Sequence, residues 1–314
     1  MLPESPSTRS SSKVKPTHAM LLAHLGALIA VIMWGVSFVS TKVLLDNGMQ
    51  PVEVYVYRFI IAYILVLCMS HKRFMCHSWR DELQFAVCGL CAGSIYFIAE
   101  NTALQYTLVS NVSLLTSTSP LIVVMLVAIL YKSERPNRGV VLGSIVAFSG
   151  VACVIFNSSF NLEIRPLGDF LSLGAAFGWA IYSLVLKRLN ILYDAWFITR
   201  KTFFWGIVTA LPFMLFEPEM TTLDYIISHP VVLGNLLFLA VGASVVGYIM
   251  WARSVKSLGA VKSNNYMYFQ SIVTLVVSAL LLGEKVSIVG YTGCALILLG
   301  LWLSDYLGRR LSAK

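Results

Sequence analysis

Glu100 is the only carboxylate inside any apolar run of this 314-residue chain. It lies in LQFAVCGLCAGSIYFIAENTALQY, Leu83 to Tyr106, a run long enough to cross a bilayer, since ~20 apolar residues at ~1.5 Å rise cover ~30 Å of hydrocarbon. Helical spacing puts Gly89, Gly93, Tyr96 and Glu100 on one face, with Ser94, Asn101 and Gln105 on the adjoining stripe. Unpaired polar groups are expensive in hydrocarbon, so this face lines something wet or binds something polar. A carboxyl there can take up a proton or pair with a substrate ammonium on one side of the membrane and release it on the other. Neutral hydrogen-bonding residues cluster in two further runs, with Ser117 and Ser119 in one and Asn264, Asn265, Tyr266, Tyr268 and Gln270 in the other. With Trp34, Tyr96 and Trp179 these make a candidate substrate-binding set of Glu100, Tyr96, Asn101, Ser117, Asn265, Tyr266, Tyr268, Gln270, Trp34 and Trp179. Amides, aromatics and few charges suit a small polar or amphipathic metabolite, with an amino acid or an aromatic compound as examples. A permanent anion would call for more cations within the runs.

Catalysis has little to work with. The sequence contains no H-E-x-x-H, G-x-S-x-G, G-x-G-x-x-G or G-x-x-x-x-G-K-[ST], and no apolar run holds two carboxylates. Enzyme, cofactor and metal readings fall away, and so does nucleotide-driven transport. The Cys88-x-x-Cys91 pair lacks a second ligand pair, and His71, Cys76 and His77 read as a solvated basic loop.

The elements that must position these residues are membrane helices. The chain is 58% hydrophobic and 12% charged, with a mean hydropathy of +0.78, the composition of an all-α polytopic membrane protein. Its net charge of +8 suggests nucleic acid only until the charges are located, and nearly all lie in short loops or at the ends of apolar runs. Ten apolar runs follow one another: 20–45, 54–70, 83–106, 110–131, 139–156, 170–187, 195–216, 231–252, 263–283 and 287–304. Ten transmembrane helices put both termini on one side. If that side is the cytoplasm of a cell inner membrane, the outer side keeps only Lys42, Arg58, Arg165 and Lys285 of the chain's 23 Lys and Arg, four against nineteen.

Internal matches divide the chain. Trp34-x7-Lys42 recurs as Trp179-x7-Lys187, Arg58 has a counterpart in Arg200, and Glu134, Gly143 and Gly150 recur at a constant spacing of 150 as Glu284, Gly293 and Gly300. Five runs per repeat is an odd number, so the halves insert with opposite orientation, the inverted-repeat plan of secondary transporters. The expected organisation is a disordered cytoplasmic tail (1–18), a first five-helix repeat (19–156), a second (167–307) and a cytoplasmic tail (308–314). Lys42 and Arg58 at outer helix ends, with Lys187 and Arg200 at inner ones, are candidate gating residues, against a default of snorkelling to headgroups.

On the residues WGVSFVSTK (34–42), Arg58-x3-Ala62, Ser119-Pro120, the two Glu–Gly runs and the five-plus-five plan, the chain resembles an EamA-type permease of the drug/metabolite transporter superfamily. The resemblance covers about 24–304 and implies a secondary transporter working by alternating access, as exporter or exchanger, with uptake as the alternative. A non-transporting scaffold or receptor is the rival from another class. Partners on this reading are a small-molecule substrate, protons as a candidate coupling ion and the lipid bilayer, with no nucleic acid and a monomer or homodimer as the assembly. The sequence departs from the family's pattern in one place. Gln270 stands where the ninth helix would carry the counterpart of Pro120, so that helix is expected to lack the matching kink.

The charge asymmetry makes a topological prediction. Single cysteines at Asn47 and Met220 will react with an impermeant thiol reagent added outside intact cells, and those at Ser78 and Asn137 will not; the reverse pattern overturns the orientation.

Overall fold

The computed structural model describes residues 18–71, 74–107, 109–131, 136–155, 166–216, 220–281 and 287–312. The expected N-terminal tail up to Thr17, Glu134, Glu284, Arg165 and Lys285 lie outside these residues. Every described element is a helix, and six are long and apolar enough to cross a membrane: His18–Asp46, Pro51–Met69, Trp79–Tyr106, Pro166–Leu192, Pro230–Leu258 and Ile288–Gly308.

In chain order the elements are α1 (His18–Asp46), α2 (Pro51–Met69), α3 (Trp79–Gly89), α4 (Ile95–Tyr106), α5 (Val109–Thr116), α6 (Ser119–Leu130), α7 (Arg138–Ile155) and α8 (Pro166–Leu192). There follow α9 (Ala195–Met214), α10 (Leu223–Ser228), α11 (Pro230–Leu237), α12 (Gly247–Leu258), α13 (Ala260–Asn265), α14 (Met267–Leu281) and α15 (Ile288–Ser312). Local signals set several ends. Pro51 opens α2 at the position where a missing N–H costs nothing, and Glu53 Oε2 accepts from Gln50 N at 3.0 Å. Asp194 Oδ1 caps α9 by accepting from Trp196 N and Phe197 N at 2.9 and 3.1 Å. Gly259, at φ 82°, makes the one-residue turn from α12 to α13, a left-handed conformation that any side chain would resist.

Three features depart from a plain ten-helix reading. The fourth run is two helices, broken at Ser117–Thr118 just ahead of Pro120, which can neither donate to the preceding turn nor fit beside it. The ninth run is broken too, at Tyr266 between α13 and α14, so the expectation of an unkinked ninth helix is corrected. Here the ladder tightens without a proline, with Tyr266 N donating to Ser263 O at 3.1 Å and Phe269 N to Tyr266 O at 2.9 Å. The C-terminal segment, read as a tail from 308, continues α15 to Ser312.

The halves interdigitate rather than stand apart. α1 packs on α12 and α14 of the second half, and α8, its counterpart, packs on α4, α5 and α6 of the first. α2 lies along α9, and α7 lies along α15. The α7–α15 seam is close because it is built on glycine: a Cβ on Gly143 or Gly300 would run into the backbone of Ser304 or Ala147.

The third and eighth runs each hold a stretch of π-helix, Leu90–Ser94 between α3 and α4 and Phe238–Val246 between α11 and α12. Widening the ladder frees carbonyls from their usual donors. A side chain from elsewhere serves each stretch. Tyr248 Oη donates to Ala92 O at 2.5 Å, and Trp34 Nε1 donates to Ala243 O at 2.9 Å. The third and eighth runs thus share an irregularity that no sequence match marks.

The seam predicts the effect of one substitution. Gly300→Leu will lower stability in detergent by roughly 1–3 kcal/mol, the usual cost of overpacking. Gly234→Ala, where a Cβ meets nothing within 4 Å, will be neutral or slightly stabilising; thermal unfolding of the purified variants checks both.

Candidate functional site

Glu100, Tyr96 and Phe97 descend from α4 into the centre of the bundle, where Trp34, Ser37 and Phe38 of α1, Trp179 of α8, and Met267 and Gln270 of α14 meet them. These nine side chains enclose a cavity of about 10 Å³, the space of a single water. Its walls are aromatic. The ring of Trp34 stands edge-on to that of Trp179 at 4.9 Å, and Trp179 packs on Tyr96 at 5.4 Å and on Trp251 at 5.8 Å.

Three polar atoms on this cavity are without partners, as are others elsewhere in the interior, among them those of Asn190, Thr199 and Thr202. Glu100 is 3% exposed, and its Oε2 has no hydrogen bond; nor do Gln270 Oε1 and Trp179 Nε1. Buried polar atoms are nearly always paired, so three orphans on one small cavity demand an explanation. Two accept and one donates. Trp34, the counterpart of Trp179, is different: its Nε1 is committed to Ala243 O, and only its ring faces the cavity.

Behind the α4 wall sits Arg58, 2% exposed, its guanidinium carbon 4.4 Å from the centroid of Phe97 and 5.4 Å from that of Phe59. Its Nε donates to Ser244 Oγ at 2.6 Å, within the second π-helical stretch, while Nη2 has no partner. Arg58 lies within electrostatic reach of Glu100, Tyr96, Tyr55 and Tyr248. The snorkelling reading fails for it, because its headgroup end is enclosed by helices.

The structure sorts the other residues singled out by sequence. Asn101 is turned away, its Nδ2 donating to Pro51 O at 2.9 Å. Ser117 Oγ bonds Ser113 O at 2.7 Å and meets Ser271 Oγ at 3.1 Å, joining the fourth and ninth runs directly without lining the cavity. Tyr268 packs with Ala147, Val151 and Ile297 beside α7 and α15. Asn265 and Tyr266 line a different cavity near one end of the bundle, where Asn265 bonds Ser144 and Ser304 and Tyr266 meets His24 Nδ1 at 2.6 Å. Glu100, Tyr96, Trp34, Trp179 and Gln270 therefore come together; Asn101, Ser117, Asn265, Tyr266 and Tyr268 do not. Among the cations, Lys42 pairs with Asp46 at 2.8 Å on the surface, and Lys187 Nζ sits 4.9 Å from the Tyr131 ring centroid. Arg200 donates to Ser70 O and stacks between Phe74 and Phe197.

Sequence reasoning missed Ser37, Phe38, Phe97 and Met267 in the wall, and the approach of Arg58 to Glu100. No local pattern could have found that approach, since 42 residues and a helix hairpin separate the two. It also missed the clamps between halves. Glu53 accepts from Thr221 N and, at 3.0 Å, from Thr221 Oγ1 at one end of the bundle. At the other end Lys201 Nζ pairs with Glu82 at 2.8 Å, Trp205 Nε1 donates to Glu82 Oε1 at 2.7 Å, and Tyr193 Oη donates to Asp81 Oδ2 at 2.8 Å. Cys76, in the loop beside Glu82, is pushed up to about 12 by burial and the neighbouring carboxylate, so it stays a thiol.

A helical bundle of bilayer-length spans enclosing a small polar-and-aromatic cavity between two related halves defines a multi-pass membrane transporter. The chain belongs to the EamA-like transporter family, whose profile matches it twice, over residues 21–156 and 166–304. Among its relatives is an uncharacterized transporter of Archaeoglobus fulgidus, 25% identical over 90% of this chain and 96% of that protein. A probable amino-acid metabolite efflux pump of Salmonella typhimurium is 24% identical over 89% of this chain and 93% of its own, and one of the same description from Escherichia coli is 23% identical over 89% and 93%. A crystal structure at 19% identity superposes with a TM-score of 0.72 over 95% of this chain and 99% of that one, a likeness of fold.

The unequal roles of the paired tryptophans can be measured. Trp34→Phe strands the Ala243 carbonyl and will cost roughly 1–3 kcal/mol in stability. Trp179→Phe breaks no hydrogen bond, so it will unfold nearer the parent temperature while transport falls; equal losses of stability in the two variants would contradict the assignment.

Proposed function

We propose that the chain is a ten-span secondary transporter, both termini cytoplasmic, that exports or exchanges a small amphipathic metabolite bearing an amine. The observation that carries this reading is the cavity whose unpaired polar atoms come from both halves: Glu100 Oε2 from the first, Gln270 Oε1 and Trp179 Nε1 from the second. An ammonium or amide N–H answers the two acceptors, and a carbonyl or carboxylate oxygen answers the indole. Trp34, Tyr96, Phe97 and Trp179 supply flat faces for an aromatic or aliphatic body and, for a cation, their negative π-surfaces. An amino acid or a related aromatic amine has these parts, and the efflux pumps named among the relatives accord with export.

A cavity of about 10 Å³ admits no such molecule, so binding requires the walls to part. Clamps at both ends, Glu53–Thr221 at one and Lys201–Glu82 at the other, correspond to an occluded stage of alternating access. Arg58 and Arg200, each buried against aromatic rings in corresponding helices of the two halves, are the gating cations on this reading; Lys42 and Lys187 lie nearer the surface and act as anchors. Glu100 holds either a proton or the substrate's cationic group, which makes proton exchange the coupling step. The second half has no acid in the matching stretch Val245–Met250, so one helix alone carries that step.

Flux of radiolabelled amino acids and aromatic amines into proteoliposomes containing only this chain tests the proposal. Glu100→Gln will abolish uptake driven by a pH gradient and leave substrate-for-substrate exchange largely intact. Undiminished gradient-driven transport in that variant removes Glu100 as the coupling group, and no flux of any solute by the parent chain would favour a scaffold.

A further inference from the structure

A second cavity, about 300 Å³, opens at the end of the bundle where α1 begins and α15 ends. It is distinct from the central site in size and lining, and it stands independently of the transport reading. α15 lies along α7 and α1 along α12 and α14, so the two flank a groove floored by α13 and α14. Polarity along the groove is graded in the same direction on all three walls. His24 on α1 is followed one turn deeper by Leu28; Lys262 on α13 is followed two turns deeper by Phe269; and Asp305 on α15 is followed one and two turns deeper by Leu301 and Leu298.

Depth assigns the polar end to the headgroup layer. α1 has 29 residues, which at ~1.5 Å each outruns a ~30 Å hydrocarbon core by over two turns, so His24 falls near the boundary. Exposed Trp302 and Tyr306, stacked at 5.0 Å beside Asp305, mark the same level as an interfacial aromatic belt. Leu298, 52% exposed on the rim, opens the deeper half toward acyl chains.

We propose that this groove holds one phospholipid with a primary-amine zwitterionic headgroup, phosphoethanolamine in chemistry. Lys262 takes the phosphate, and Asp305 takes the ammonium. Leu28, Phe269, Leu298 and Leu301 take the upper acyl chain. A carboxylate placed within the same groove as a lysine disfavours an anionic headgroup without an amine. A choline headgroup carries the charge but has no N–H to donate, so it fits less well.

Native mass spectrometry of the purified full chain, titrated with lipids of one acyl composition, tests this. Phosphatidylethanolamine should be retained roughly fivefold over phosphatidylcholine, with its N-methyl and N,N-dimethyl forms falling between in order and phosphatidylglycerol below. Asp305→Asn should erase the preference for phosphatidylethanolamine over phosphatidylcholine, and Lys262→Gln should weaken both against a neutral diacylglycerol. A flat methylation series, phosphatidylglycerol as the tightest lipid, or a preference that survives Asp305→Asn overturns the proposal. The methylation series uses the unaltered chain, so it decides the matter even if a variant fails to fold.

Discussion

Arg58 and Glu100 are each almost wholly buried, and taking either charge out of water costs several kcal/mol even after relaxation. In a bilayer no solvent repays that cost, so the bundle around them has to. Much of the central architecture can be traced to this. Arg58 is held by Ser244, whose place in a π-helical stretch brings its hydroxyl to the guanidinium, and by the faces of Phe97 and Phe59. Glu100 lies within electrostatic reach of Arg58 and beside the phenol of Tyr96 one turn back. Each nonetheless keeps one unpaired polar atom. Apolar residues at both positions would remove that cost; on the proposed reading, the retained orphans serve binding.

The π-helical stretches carry this constraint from one half to the other. Each breaks its own ladder, and each is served by an aromatic side chain from another run: Ala92 by Tyr248, Ala243 by Trp34. The aromatic cluster at the centre is thereby tied to the backbone of both the third and the eighth runs. Trp34 thus both lines the cavity and holds the backbone of the eighth run.

Fold class was readable because hydrocarbon imposes a long, simple signal: apolar runs of bilayer length, cations at their ends and a spacing of 142–150 between matched residues. The helix breaks were half readable. Pro120 announces the one in the fourth run, but the one at Tyr266 has no proline or glycine to betray it. Glu100, Tyr96, Trp34, Trp179 and Gln270 of the candidate set line one cavity, and they are legible because polar and aromatic residues stand out against apolar sequence. Asn101, Ser117 and Asn265 stand out for the same reason but lie off that cavity: their side chains satisfy carbonyls and hydroxyls of neighbouring helices, and composition cannot tell a structural hydrogen bond from an offered one. The position of Arg58 in the sequence places it at a helix end, whereas the packing of α2 against α9 encloses it.

The cavity's two walls belong to different halves, and on the proposed mechanism they separate for a solute to enter. Ser37 of α1 and Met267 of α14 both line it, on helices of different halves, and carry no charge. In a background without native cysteines, Ser37→Cys and Met267→Cys joined by a short bifunctional thiol reagent will hold the walls together. Substrate-for-substrate exchange should then stop and return on reduction of the tether; exchange at the full rate with the tether demonstrably in place would contradict the account.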